Sequence, residues 1–378
     1  MTNRATQWRQ WGKEGLELLP GLALTAIVAW AGLWLSEWLG RSVLGFPKSP
    51  ISGISMAIVV GLLLGNLLRL PRLFSAGVKF ALKRVLRLGI ILLGLRLSIG
   101  DVLKLGALGI PIVIICIAGG LLLTQLMGRR LCLSSRLSTL IGVGTAICGA
   151  SAIVATGPAI EAKEEEVTYA VAVIAIFGIL AMFFYPYLAH LILGANPTSA
   201  GLFLGTSIHD TSQVAGAGLI YKQVYDAPKA LDAATVVKLV RNVCMVLIIP
   251  LMAYDCRRRV AAEGGQCPPA VNLRTLFPTF ILGFLALAIV RSIGDATLKS
   301  GLAWGLLNGT GWSWLTANVE VVATDLLAAA MAGVGLGTSV KQLAGLGLRP
   351  LLGGLAAACA VGGLSLLSIL ALSALGIG

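Results

Sequence analysis

The chain has 378 residues, of which 57% are hydrophobic and 12% charged, and its mean hydropathy is +0.91. So few charges cannot cover a water-soluble surface, which excludes a soluble globular, solenoid or disordered protein. The net charge of +13 does not point to nucleic acid, because the cations cluster in short connections between apolar runs rather than on one face.

A bilayer crossing takes about 20 residues, so the chain has room for about 11. Apolar segments follow one another near 18–39, 50–68, 80–97, 104–127, 138–160, 167–192, 198–220, 232–255, 274–294, 318–340 and 350–376. The expected fold is an all-α polytopic membrane protein with about 11 transmembrane helices. A cytoplasmic segment at 1–17 precedes a single transmembrane domain at 18–376, with halves at about 50–192 and 198–376. The first segment is too long for a signal peptide and has no small-x-small cleavage site, so it reads as an anchor.

With the N-terminus placed inside, Arg4, Arg9, Lys13, the Arg69 to Arg87 group, Arg129, Arg130, Arg136, Arg257 to Arg259, Arg274, Lys341 and Arg349 fall on the cytoplasmic side. The outer side receives Lys48, Lys163, Lys222 and others, giving a bias of about two to one that supports this orientation. Lys79, Lys83, Arg84 and Arg87 read as the cytoplasmic start of a helix facing lipid phosphates. The acidic run from Glu161 to Glu166 reads as a cap for the next helix. Cys116, Cys132, Cys148, Cys244, Cys256, Cys267 and Cys359 are odd in number and form no CxxC pair. They read as small buried apolar residues, not as a disulfide framework or a zinc site.

Two self-similarities suggest related halves. Gly94-x-x-Leu97 with Pro111 matches Gly333-x-x-Leu336 with Pro350. Gly144-Thr-Ala-Ile-Cys148-Gly149-Ala-Ser151 matches Gly205-Thr206-Ser207-Ile-His209-Asp210-Thr211-Ser212, followed by Gln213. Glycines weaken a helix, and hydroxyls and amides can satisfy the backbone groups that a break releases. The second pair is therefore expected to mark two broken membrane helices, whose half-helix ends hold ions. Close helix packing through small residues is the competing explanation.

Lys238, Arg241 and Asn242 share one face of the next segment. Two buried cations call for an anion, which is a substrate or the carboxylate of Asp210 or Asp325. The expected substrate site is Gly144, Thr145, Cys148, Gly149, Ser151, Gly205, Thr206, Ser207, His209, Asp210, Thr211, Ser212, Gln213, Lys238, Arg241 and Asn242. His209, Asp210 and Asp325 are the candidates for ion coupling. On this reading Arg241→Ala abolishes transport without unfolding the protein. His209 has no second histidine nearby, which argues against a metal. Walker A, GxSxG and HExxH motifs are absent, so neither an enzyme nor a bound cofactor is expected.

Leu88 to Leu97 (LGIILLGLRL), Gly142 to Ala155, Ala162 to Glu166 (AKEEE), Gly205 to Val214 (GTSIHDTSQV) and Lys238 to Asn242 (KLVRN) resemble the YeiH-like family of bacterial inner-membrane proteins, classed as sulfate exporters. The resemblance covers most of the chain after the first segment. It implies a place among cation/proton-antiporter-like and bile-acid-symporter-like carriers. Those carriers have inverted five-helix repeats, crossing broken helices in a core domain, a scaffold or dimerisation domain, and homodimeric assembly. The expected function is secondary active transport of a small anion, sulfate first, by alternating access. A proton- or sodium-coupled carrier of an organic anion is the alternative within the class. A membrane sensor or intramembrane enzyme is the alternative outside it.

Overall fold

The computed structural model describes residues 3–46, 49, 51–68, 70–194, 196–262, 276–339 and 347–375. Lys48, Arg69, Cys267, Arg274 and Lys341 lie outside the described residues, as do the side chains of Arg4, Arg9, Lys13 and Arg259. Every regular element among the described residues is helical. Seven helices are long and apolar enough to cross a membrane: Glu17–Val43, Ile99–Arg130, Glu164–Leu193, Pro228–Arg258, Phe280–Leu298, Gly309–Gly337 and Leu348–Ala374. The expected segments at 50–68, 80–97, 138–160 and 198–220 instead form short or interrupted helices.

The chain folds as two compact units, neither of which is contiguous in sequence. The first comprises Met1–Arg96, Gln223–Asp226 and Gly283–Val340. It contains α1 (Asn3–Glu37, extended by a π-helical turn to Val43), α2 (Gly53–Leu67), α3 (Arg72–Phe80), α4 (Leu86–Leu93), α13 (Phe280–Leu298) and α14 (Gly309–Gly337). A π turn at Ala81–Val85 joins α3 to α4, and a 3₁₀ turn at Gly94–Arg96 ends the rod. The basic cluster was expected to start a helix, but it lies within a helical rod that begins at Arg72. Gly94 opens a 3₁₀ turn while Gly333 sits inside α14, so these two similar stretches differ locally.

Small residues bring these helices together, as expected where lipid supplies no hydrophobic drive between helices. A Cβ on Gly335 would meet the Ile58 carbonyl, and one on Gly61 would stand 2.6 Å from the Ala332 carbonyl. Gly77 packs in the same way against Gly21. Arg96 pairs with Glu320 within this unit. Gln223 accepts from the Ser52 hydroxyl at 2.7 Å and the Ile54 N–H at 3.3 Å, and so secures the start of α2.

The second unit comprises Leu97–Lys222, Ala227–Leu282 and Lys341–Gly378. It holds α5 (Ile99–Arg130), α6 (Ser135–Ala146), α7 (Ala150–Ala159), α8 (Glu164–Leu193), α9 (Pro197–Ser207), most of α10 (Thr211–Tyr225), α11 (Pro228–Val243), α12 (Met245–Ala262) and α15 (Leu348–Ala374). The acidic run does begin α8: the Lys163 N–H donates to Glu166 at 2.9 Å, and Arg136 lies 3.7 Å from Glu161. Cys116 and Cys148 are buried, but Cys132 and Cys359 are exposed, contrary to the expectation for all seven cysteines.

Gly335→Leu is expected to lower the melting temperature of the detergent-purified protein, since overpacking a close contact costs about 1–3 kcal/mol. An unchanged melting curve would remove the α2–α14 glycine contact from this account.

Candidate functional site

Both repeated motifs fall on helix breaks, and at matching positions. In the first, α6 ends at Ala146 and α7 starts at Ala150. In the second, α9 ends at Ser207 and α10 starts at Thr211. Gly149 takes φ +69°, a conformation that L side chains rarely adopt, and so lets the first break turn. Asp210 makes the second. Its Oδ1 accepts from the Ser212 N–H at 2.9 Å and the Ser212 hydroxyl at 2.6 Å. Its own N–H donates to Gln213 Oε1 at 3.1 Å, which gives α10 a reciprocal N-terminal cap. The two breaks lie against each other: a Cβ on Gly149 would stand 3.0 Å from Asp210 Oδ2.

Each break leaves helix C-terminal carbonyls without intrahelical partners, and water is absent from the bilayer core. Lys238 and Arg241, one turn apart on α11, satisfy them. Lys238 donates to the carbonyls of Ile147 and Ile208, both at 2.9 Å, and to that of His209. These bonds use all three ammonium protons. Arg241 donates from Nε to Ala146 at 2.7 Å, from Nη1 to Thr206 at 2.7 Å and Ile208 at 2.9 Å, and from Nη2 to Thr145. Lys238 is 1% exposed and Arg241 0%. The cations also complement the negative ends of two helix dipoles.

This geometry corrects the sequence reading. The anion expected opposite the two cations is a set of backbone carbonyls, and Arg241 pairs with neither Asp210 nor Asp325. Asp325 belongs to the other unit, where it is exposed on α14. Because Arg241 holds both breaks, its removal is expected to damage the fold as well as any activity.

The remaining predicted residues separate into a sealed side and an open side. On the sealed side, Gly144 packs on Ile153 and Ile174, and Gly205 on the Ala234 backbone. Thr206 Oγ1 bonds to the Leu202 carbonyl at 2.7 Å and lies 2.6 Å from Ser365 Oγ, while Ser207 Oγ donates to the Phe203 carbonyl. Cys148 contacts Met245 Sδ at 3.5 Å. These residues pack the site and do not present ligands. His209 is 1% exposed, and neither of its ring nitrogens makes a hydrogen bond. Thr145 Oγ1 and Asn242 Oδ1 are likewise buried without partners, although Asn242 Nδ2 donates to Thr211 Oγ1 at 3.1 Å. Ala150 and Ser151 at the start of α7 and Asp210, Thr211 and Ser212 at the start of α10 retain exposure. The open side therefore presents two helix N-termini, hydroxyls and one carboxylate.

Sequence reasoning missed three supports. Ser365 on α15 backs Thr206. Gly178 on α8 leaves room for Gln213, whose Nε2 reaches the Ala175 carbonyl at 3.5 Å. Gly201 on α9 lets Ala230 of α11 approach closely. No motif flagged these residues; small-residue spacing was the available signal.

Long apolar helices, together with interrupted ones buried among them, define a polytopic α-helical membrane protein. The chain belongs to the family described as conserved hypothetical protein 698, whose profile matches residues 20–354. It is 34% identical over 335 residues to a UPF0324 membrane protein of Corynebacterium glutamicum, covering 88% of this chain and 86% of that one. It is 33% identical over 339 residues to the UPF0324 inner membrane protein YeiH of Escherichia coli, covering 88% of each. A UPF0324 membrane protein of Pseudomonas aeruginosa is 34% identical over 350 residues, covering 89% of each. These relatives are named as membrane proteins, without an enzymatic activity.

Arg241→Ala is expected to cost about 3–5 kcal/mol of stability, as removal of one member of a buried charge network does. Lys238→Met should cost a similar amount, and the double variant less than the sum of the two. Unfolding titrations of the purified variants measure this. Wild-type stability in both would mean that the breaks do not depend on α11.

Proposed function

We propose that the chain is a secondary active transporter of a small oxyanion, sulfate being the first candidate, working by alternating access. The observation that carries this reading is the polarity of the two breaks. Two buried cations neutralise the C-terminal ends, while the N-terminal ends, which favour anions, remain accessible. In this reading the free N–H groups at the starts of α7 and α10, with the hydroxyls of Ser151 and Thr211, take the oxyanion oxygens, while Ser212 is held by Asp210. Lys238 and Arg241 act from behind as fixed positive charge and do not touch the substrate. Local charge supports an anion over a cation, since two cations stand against the single carboxylate of Asp210.

Asp210 is the coupling group of this proposal. It is partly exposed at the site, whereas His209 is sealed. The membrane topology that goes with this reading has eleven crossings. They are the seven long helices, α2, the Arg72–Arg96 rod and the two interrupted pairs. The N-terminus is placed in the cytoplasm and the protein in the bacterial inner membrane, as the basic loops and YeiH's printed description support. The interrupted pairs serve as the related crossing elements, the second unit as core and the first as scaffold and dimer face.

Radiolabelled sulfate flux in proteoliposomes tests the reading. Ser151→Ala is expected to weaken apparent affinity about tenfold, the loss of one hydrogen bond to a charged group, while the protein stays folded. Asp210→Asn keeps an acceptor for the α10 cap, tightens anion binding and uncouples flux from an imposed ion gradient. If wild-type vesicles move neither sulfate nor other small inorganic or organic anions faster than empty liposomes at any pH, the assignment fails.

A further inference from the structure

The oxygens that Lys238 meets have the form of a cation site. Three carbonyls converge on Nζ, that of Ile147 from the first break and those of Ile208 and His209 from the second. The cage is backbone alone, and no carboxylate pairs with Nζ among the described residues. Three oxygens accepting at once require three protons, so Nζ is an ammonium ion and not an amine. Carbonyls at unwound or terminal helix turns are what membrane proteins offer to monovalent cations taken from solution. Here the cation in the cage is covalently attached.

The charge beside the cage gives a reason for the attachment. Arg241 stands one turn along α11, and its Nη1 bonds to the same Ile208 carbonyl that Nζ uses. Two positive charges sharing one oxygen repel each other, and Asp210 is the carboxylate that offsets part of this. A dissolved cation would have to overcome that repulsion at its free concentration. Attachment makes the encounter intramolecular, so occupancy no longer depends on what the solution contains. Burial acts in the same direction: at 1% exposure, Lys238 cannot leave the carbonyls without baring them in the membrane core.

We infer that Lys238 stands in for a dissolved coupling cation, so that the charge at the crossing is permanent and sodium and potassium have no site there. What this means for transport rests on the transporter reading above, in which the carrier then works without either ion. The tethered cation itself does not rest on it.

Lys238→Ala in the full-length, detergent-purified protein tests this, because it removes the ammonium and leaves the carbonyls. Its melting temperature should rise in ammonium or potassium chloride relative to choline chloride at equal ionic strength. The rise should be about 3 °C at ten times the dissociation constant. Oxygens at 2.9 Å suit ammonium and the similar potassium ion, so the smaller sodium ion should give less. Wild type should not respond, and neither should Lys238→Gln, whose longer side chain stays in the cage. If Lys238→Ala aggregates in choline, its recovery as a single species in ammonium gives the same answer. No gain and no recovery in any salt, an equal gain in wild type, or rescue confined to n-propylammonium, which replaces the apolar stem as well, would overturn the inference. In proteoliposomes, wild-type sulfate flux should persist undiminished when choline replaces sodium and potassium, and a requirement for either ion would also overturn it. An ammonium response of Lys238→Ala in a protein that moves no anion would sink the transport reading and leave the tethered cation standing. Sodium-independent flux in a protein whose Lys238→Ala variant ignores ammonium would do the reverse.

Discussion

A helix that stops inside a bilayer leaves carbonyls that nothing in the surrounding hydrocarbon can satisfy, and the second unit is built around that constraint. Two helices stop, at Ala146 and Ser207, and the carbonyls around both stops converge on Lys238 and Arg241. An unsatisfied buried carbonyl and an unpaired buried cation each cost several kcal/mol. Placed together, each removes the other's penalty. The planar guanidinium suits this role because its nitrogens lie in a fixed fork, which bridges α6 and α9 at once. The ammonium takes carbonyls within the two breaks, with its three protons directed at three oxygens.

With the C-terminal ends closed in this way, the site acquires a direction. Negative helix ends and cations cancel on the sealed side, and the positive ends of α7 and α10 are left facing accessible space. Asp210 belongs to both sides of this balance. It caps α10 through Ser212, and its second oxygen lies against Gly149 at the start of α7. A carboxylate so placed already occupies part of what an incoming anion would use. His209 takes no part in that competition, since it is sealed behind the crossing without a carboxylate partner.

Much of this was legible in the residues, because hydroxyl- and glycine-rich stretches inside an apolar run are costly unless a helix breaks there. The two motifs therefore located both breaks, and the match between Gly144 to Ser151 and Gly205 to Ser212 aligned the helix ends residue for residue. The shared face of Lys238 and Arg241 was also legible from their spacing on α11. Their partners were not, because backbone carbonyls carry no sequence signature and a buried cation first suggests an acid. The Arg72 start of the third rod was missed for a related reason. Charges at 79 to 87 suggest that a helix only starts there, at the membrane surface, whereas the glycine contacts at 77 and 89 place them alongside two apolar helices. The two discontinuous units could not be read either, since Gln223 joins the first unit through bonds to Ser52 and Ile54 far away in sequence.

The same bonds limit how such a protein can move. Lys238 and Arg241 tie α11 to both half-helices through carbonyls on each, so α6, α9 and α11 form one body. Pulling any one of them away would expose carbonyls and two charges together, a far larger cost than sliding small-residue contacts. A change in access to Asp210 therefore has to leave this crossing intact and occur around it. At the crossing the positive φ falls on Gly149, where the absence of a side chain lets the two breaks touch. The crossing thus acts as a rigid element with preset charge, and movement falls to the small-residue contacts elsewhere in the chain.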